Sequence, residues 1–305
     1  MDTTTEEAGA MASRQSAAVR AMYERWTADR LNGRPMDPES WGDLTTEPRG
    51  VDYVETTGPG TPALWLMPHG GASERVLLCM HGGGYVAGSI YTHRKMYGHL
   101  AKAVGVRALL FEYPYAPEHP HPAQVERATA VYRWLLRSFA ARGIAFVGDS
   151  AGGALAVTTQ LNARARGLPP PAAAMAISPW VDLEVRGDTY RTNALTDGYF
   201  YRDVVSGLVD AFLGPGGDRR DPLANPLRAD LTGLAPLYVQ AGAHETLLDD
   251  SRMLVERAEH AGVEVRLDVV EEQAHTFQMA AGRAPEADEA IARLASWART
   301  KLEAA

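Results

Sequence analysis

Six runs that read as continuous, mostly apolar strands set the limits on this chain. They occupy 76–80, 106–111, 144–147, 173–177, 236–241 and 265–270, with segments between them that read mostly as helices. A short run with no polar alternation suits a strand covered on both faces, since a strand with one wet face would alternate. Strands joined by helices predict a mostly parallel sheet flanked by helices on both sides. Ahead of these runs, Val51-Asp52-Tyr53-Val54-Glu55 alternates, and Ala63-Leu64-Trp65-Leu66-Met67 follows the turn signal Gly58-Pro59-Gly60. That pair reads as antiparallel. The expectation is therefore an α/β fold with eight strands.

Helices are expected over Ser13–Leu31, with Ala17, Met22, Trp26 and Leu31 as a loose apolar stripe, over Gln124–Ala141, Arg202–Leu213 and Ser251–Ala261, and from Pro285 onward. The stretch between 177 and 236 is too long for one crossover helix and reads as an insertion over the sheet edge. The division expected is 1–50 as an N-terminal tail with cap helices and 51–305 as the main domain, carrying a cap insertion at about 180–225. The first 13 or so residues, polar and acidic, are expected to be disordered.

Composition narrows the function classes. With 30 basic and 38 acidic residues, a net charge of -8 argues against a nucleic-acid partner, which would call for a basic face. The one cysteine, Cys79, lies inside the run 76–80 and reads as a buried thiol. No signal peptide or membrane span is legible, so a cytoplasmic protein is the default expectation.

The chemistry centres on Gly148-Asp149-Ser150-Ala151-Gly152-Gly153, between an apolar run and an Ala-rich segment. G-x-S-x-G at a strand-to-helix turn is the pattern of a nucleophile elbow, whose glycines leave room for a sharp bend. The plainer reading is a glycine-rich turn with Ser150 as helix cap. A serine nucleophile needs a base and a third group to orient that base, and on this kind of sheet they follow in the order acid, then histidine. After the run ending at Ala241 stand Gly242-Ala243-His244-Glu245, and after the last run stand Gln273-Ala274-His275. Glu245 and His275 are the candidates. His244 is a rival only by residue type, and Asp249 and Asp250 are better read as charges at the start of the next helix. Upstream, His81-Gly82-Gly83-Gly84-Tyr85 directly follows the run 76–80. This HGGG sequence is that of a loop whose bare backbone N–H groups can face an oxyanion, with Ala151 N–H as a third donor.

These segments, together with Tyr113–Pro122 (YPYAPEHPHP) and His275-Thr276-Phe277, resemble the hormone-sensitive-lipase-like branch of the α/β-hydrolases, the bacterial family IV carboxylesterases. The resemblance runs from about Val51 to Phe277. It implies an α/β-hydrolase fold with a helical cap, hydrolysis of short- to medium-chain carboxylic esters at Ser150, Glu245 and His275, and an oxyanion hole at Gly83, Gly84 and Ala151. His81, Gly82 and Asp149 would support the motif, and no cofactor or metal would be needed. The family most often has Asp where Glu245 stands, and Pro114 replaces a common Arg. The cap aromatics Trp26, Trp41, Tyr85, Tyr199, Phe200 and Phe212 are candidates for lining the substrate pocket. Residues around SPWVDLE bring the chain close to monoterpene ε-lactone hydrolases, so a lactone is an alternative substrate. A non-enzymatic small-molecule receptor is a second reading, and a homodimer is possible, as in many family members.

Overall fold

A computed structural model describes residues 12–34 and 37–303, and the tail expected to be disordered lies, through residue 11, outside the described residues. The strands are β1 (Val51–Thr56), β2 (Ala63–Pro68), β3 (Ala72–Met80), β4 (Val106–Phe111), β5 (Ile144–Asp149), β6 (Ala173–Ile177), β7 (Leu237–Gly242) and β8 (Val265–Val270). They form one sheet in the order β1-β2-β4-β3-β5-β6-β7-β8. β1 and β2 are antiparallel, as is β2 with β4, and β3 through β8 run parallel.

Five of the six runs have the expected physical cause, whereas 265–270, with Arg266 and Asp268, is the edge strand β8 and has no fully buried residue. In β3, Val76, Leu78 and Met80 face one core while Leu77 and Cys79 face the other, so every side chain in that stretch is removed from water. Each such burial is worth about 1.5–3 kcal/mol for a large aliphatic side chain, and a polar residue at any of these positions would forfeit it. One core lies under α3 (Ala123–Leu135), α4 (Ala151–Ala165), α7 (Arg202–Leu213) and α8 (Leu248–His260). The other lies under α1 (Arg14–Leu31), α2 (Ile90–Val104) and α9 (Pro285–Glu303). Two short helices, α5 (Thr189–Thr192) and α6 (Ala194–Asp197), stand between β6 and α7.

Two local expectations change and a third gains detail. α1 spans the expected residues, but its contact face is Ser16, Val19, Tyr23 and Trp26, at helical spacing, while Ala17 is exposed and Leu31 is 71% exposed. The apolar letters 17, 22, 26 and 31 drift around the helix and cannot share one face. α3 stops at Leu135, well before Ala141, because the chain turns there to bring Phe139 against Trp65, ring centroids 6.3 Å apart. Asp249 and Asp250 stand in the first turn of α8 as expected, and Asp250 is in addition fully buried and accepts the Val181 and Asp182 N–H groups, both at 2.8 Å. Burial pushes its carboxyl up to about 7. Asp249, half-buried in the same turn, accepts the Thr189 N–H at 3.0 Å. No helix among the described residues is long and apolar enough to cross a membrane.

Candidate active site

β3 and β5 are neighbours in the sheet although β4 lies between them in sequence, so the chain leaves their C-terminal ends in opposite directions and opens a crevice there. Met80 pairs with Gly148. The loop beginning at His81 is therefore placed beside the turn at Ser150.

At that turn Ser150 has φ 54° and ψ -120°, a backbone conformation costing about 1–3 kcal/mol for a residue other than glycine. It survives because its N–H donates to the Ile177 carbonyl at 2.8 Å, and because a Cβ at Gly148 would collide with the Gly152 carbonyl and one at Gly152 with that of Met80. Only glycine lets α4 sit this close to β3 and β5. The helix-cap reading fails, since the Ser150 side chain makes no capping bond.

Freed from the cap, Ser150 Oγ lies 2.9 Å from His275 Nε2. On the other side of the ring, Nδ1 is 3.4 Å from Glu245 Oε2, within ion-pair distance though not aligned as a hydrogen bond. Glu245 and His275 come from the loops after β7 and β8, which are adjacent strands, and both are almost fully buried. The structure thus brings together Ser150, Glu245 and His275. His244, half-buried in the same loop with its backbone N–H on the Gln273 carbonyl at 2.9 Å, has no contact with Ser150 or His275 among the hydrogen bonds of the described residues.

Burial alone would lower the His275 pKa, but the Glu245 carboxylate and, behind it, Asp197 and Asp149 outweigh it and raise the value above 6.5. Burial also raises the Glu245 carboxyl above its usual range. The sign for catalysis follows directly. A histidine acting as base must be neutral, so activity falls as pH drops through its folded value. The acid limb of the kcat/KM profile is expected above pH 6.5, and a limb below that value would contradict the arrangement.

The glycine loop is anchored rather than free. Gly82 N–H donates to Asp149 Oδ1 at 3.0 Å, the same oxygen accepts from Tyr97 Oη at 2.7 Å, and His93 Nε2 lies 3.3 Å from Oδ2. Burial acts to raise the Asp149 pKa, yet His93, Tyr97 and His81 hold it below the usual carboxylate value. His81 is fully buried, stacks on Tyr113 and places Nε2 3.4 Å from Glu112. Beyond this anchor Gly83 takes φ 114°, and Gly83 and Gly84 line the cavity beside Ser150. Among the described residues their N–H groups donate to no protein acceptor.

The cavity measures about 180 Å³ and is walled by Trp41, Tyr199, Phe200, Val204 and Leu208 over Ser150 and His275. Of the six aromatic candidates, Trp41, Tyr199 and Phe200 reach it. The other three are packing groups. Trp26 stacks on Tyr23 at 5.6 Å, and Tyr85 stacks on Phe212 at 4.1 Å while its hydroxyl donates to the Ala151 carbonyl at 2.8 Å. α1 meets the far wall directly, with Thr27 Oγ1 donating to Gly198 O at 2.7 Å and Arg30 Nη2 to Tyr199 O at 3.0 Å. Sequence reasoning missed Asp197 and Ser178. Ser178 has φ 44° at the end of β6, and its hydroxyl accepts the Thr276 N–H at 3.3 Å beside His275. No spacing rule marks either one. Among the described residues no group of three or more His, Cys, Asp or Glu side chains could hold a metal ion.

A parallel sheet with a strained serine after its central strand, and an acid and an imidazole after two later strands, defines the α/β-hydrolase class. Comparison with known proteins agrees. The family model for the alpha/beta hydrolase fold matches residues 77–279. An acetyl-hydrolase of Streptomyces hygroscopicus is 38% identical over 263 residues, 86% of each chain, and an esterase of Acinetobacter venetianus is 32% identical over 228 residues, covering 74% of this chain and 75% of the relative. The crystal structure of an esterase from the bacterial hormone-sensitive lipase family superposes with a TM-score of 0.90 at 38% identity, over 96% of this chain and 100% of that one. The chain belongs to the α/β-hydrolase fold family, in its hormone-sensitive-lipase-like branch, and is a hydrolase.

Proposed function

We propose that this hydrolase is a serine carboxylesterase acting on short- to medium-chain acyl esters through an acyl-enzyme. The observation that carries the reading is the 2.9 Å approach of His275 Nε2 to Ser150 Oγ, with Glu245 behind the ring. Ser150 Oγ attacks the ester carbonyl as His275 takes its proton. His275 then returns that proton to the departing alkoxide, which leaves as alcohol. Water, deprotonated by His275, attacks the acyl-Ser150 ester, and the proton goes back to Oγ as the carboxylic acid leaves. Glu245 orients the imidazole and stabilises its charged form. The N–H groups of Gly83, Gly84 and Ala151 receive the oxyanion, and the first two have no competing protein acceptor among the described residues.

The segment from α1 to about residue 50, with 180–225, is read as the cap, because α1 and the Gly198–Tyr199 turn bond to each other beside the cavity. The names of the relatives, acetyl-hydrolase and esterase, point to the same substrates. A homodimer would use the outer edge of β8, which pairs with β7 alone; a monomer mass by light scattering would remove that part of the reading.

The test is a substrate panel. A cavity of about 180 Å³ predicts that kcat/KM for p-nitrophenyl esters is highest among acetyl to butyryl chains and falls steeply by decanoyl. A decanoyl optimum would overturn the size argument. Faster turnover of ε-lactones than of linear esters would move the assignment to lactone hydrolysis by the same residues. Failure of a fluorophosphonate to label Ser150 stoichiometrically would remove the acyl-enzyme.

A further inference from the structure

We propose that Asp197 is a positioning residue for the Glu245–His275 pair, a buried carboxylate that clamps the Glu245 loop to the wall of the substrate cavity. The inference rests on the catalytic reading above.

Asp197 ends α6 and is fully buried. Its two oxygens serve two different segments. Oδ2 accepts from Thr246 N at 2.8 Å and Thr246 Oγ1 at 3.3 Å, so it holds the residue directly after Glu245. Oδ1 accepts from Phe200 N at 2.9 Å and Tyr199 N at 3.3 Å, the two aromatics that wall the cavity. The Phe200 ring in turn stands edge-on to His275, centroids 4.6 Å apart.

The same short turn grips the rest of the Glu245 loop through its carbonyls. Asn193 Nδ2 donates to Ala243 O and to Glu245 O, each at 3.0 Å, and Thr196 Oγ1 donates to His244 O at 3.0 Å. Four consecutive residues, 243 to 246, are thus held by one turn of the chain that lies outside the sheet. The Glu245 side chain itself has little else to fix it, since neither carboxylate oxygen makes an aligned hydrogen bond among the described residues. Its place opposite His275 is set by its backbone.

A carboxylate is the group this junction requires, because it has acceptors on both sides and no donor. The nearly isosteric amide must turn its NH2 toward either Thr246 N–H or Phe200 N–H, so one of the two grips becomes a donor facing a donor. The Asp197 charge also acts on His275 alongside Glu245 and Asp149, and the Tyr23 hydroxyl donates to the His275 carbonyl at 3.2 Å. Removing the negative charge, or letting Glu245 drift, lowers the His275 pKa either way.

The test compares Asp197→Asn, Thr246→Val, Ser150→Ala and Glu245→Gln on p-nitrophenyl acetate across neutral pH, with near-UV circular dichroism to confirm folding. Asp197→Asn is expected to lower kcat by about 10- to 100-fold, the scale of an ångström-level misplacement, and to move the acid limb of kcat/KM to lower pH. A folded Asp197→Asn enzyme with parental kcat, or with an unmoved acid limb, overturns the proposal. Should that variant fail to fold, Thr246→Val carries the test. It removes only the hydroxyl bond, and a several-fold fall in kcat supports the clamp while parental kcat overturns it. Parental activity in Ser150→Ala or Glu245→Gln would instead overturn the catalytic reading, and the proposal with it.

Discussion

Ser150→Ala is expected to lower kcat for p-nitrophenyl acetate by roughly 10⁴-fold or more, the scale seen when a serine nucleophile is removed from such a triad. Stability should move little, within about 1 kcal/mol, because the side chain caps no helix and its one recorded partner is His275 at 2.9 Å. The backbone strain at φ 54° is unchanged by the substitution, since alanine pays for that conformation as serine does. A purified, folded variant hydrolysing the ester at the parental rate would remove Ser150 from the mechanism.

The second large effect is on stability. Asp149→Ala would strip the acceptor from Gly82 N–H and the carboxylate from His93, and would leave Tyr97 Oη only the Met80 carbonyl at 2.8 Å, all among buried groups. Breaking a buried charged cluster by removing one member costs about 3–5 kcal/mol, a large share of the 5–15 kcal/mol that holds a domain together. A fall in melting temperature of about 5–10 °C is expected at neutral pH. Activity should fall as well, because Gly82 is the anchor of the loop carrying Gly83 and Gly84. The pH dependence has a definite sign. The Asp149 pKa is depressed in the folded state, so the anion's contribution is complete above 3.8 and is lost only as pH falls through the folded value. Parent and variant melting temperatures should therefore converge in strong acid. An unchanged melting temperature at neutral pH would show that the cluster contributes nothing net.

Asp149 also shows why a motif position can do two jobs. It stands inside the G-x-S-x-G pattern, yet its side chain points away from the serine and into the layer beneath the HGGG loop. The elbow and the HGGG loop are therefore one mechanical unit, joined through a carboxylate that belongs to the first and accepts the Gly82 N–H of the second. Tyr85 joins them again through its hydroxyl on the Ala151 carbonyl at 2.8 Å, which is why it packs and does not line the cavity.

Much of this protein was determined by local chemistry that letters carry. The inner strand runs follow from two-sided burial, the elbow from glycines where a Cβ has no room, and the candidates Ser150, Glu245 and His275 from the order in which loops leave a parallel sheet. α2 had legible ends as well, in the Ser89 and Thr92 capping box and the left-handed Gly105, although its sequence alone was not enough to draw it out. Other features were decided only by the tertiary structure. Which face of α1 is buried depends on the His275 loop beneath it, so Tyr23 and Val19 count and Leu31 does not. Whether an aromatic walls the cavity or fills the core depends on which neighbour reaches it first, which separated Phe200 from Phe212. Nothing in the sequence marks Asp250 or Asp197 as buried, because a carboxylate is buried only where N–H groups from distant segments converge on it. Local sequence sets backbone geometry and loop order; the convergence of remote donors exists only once the sheet has closed.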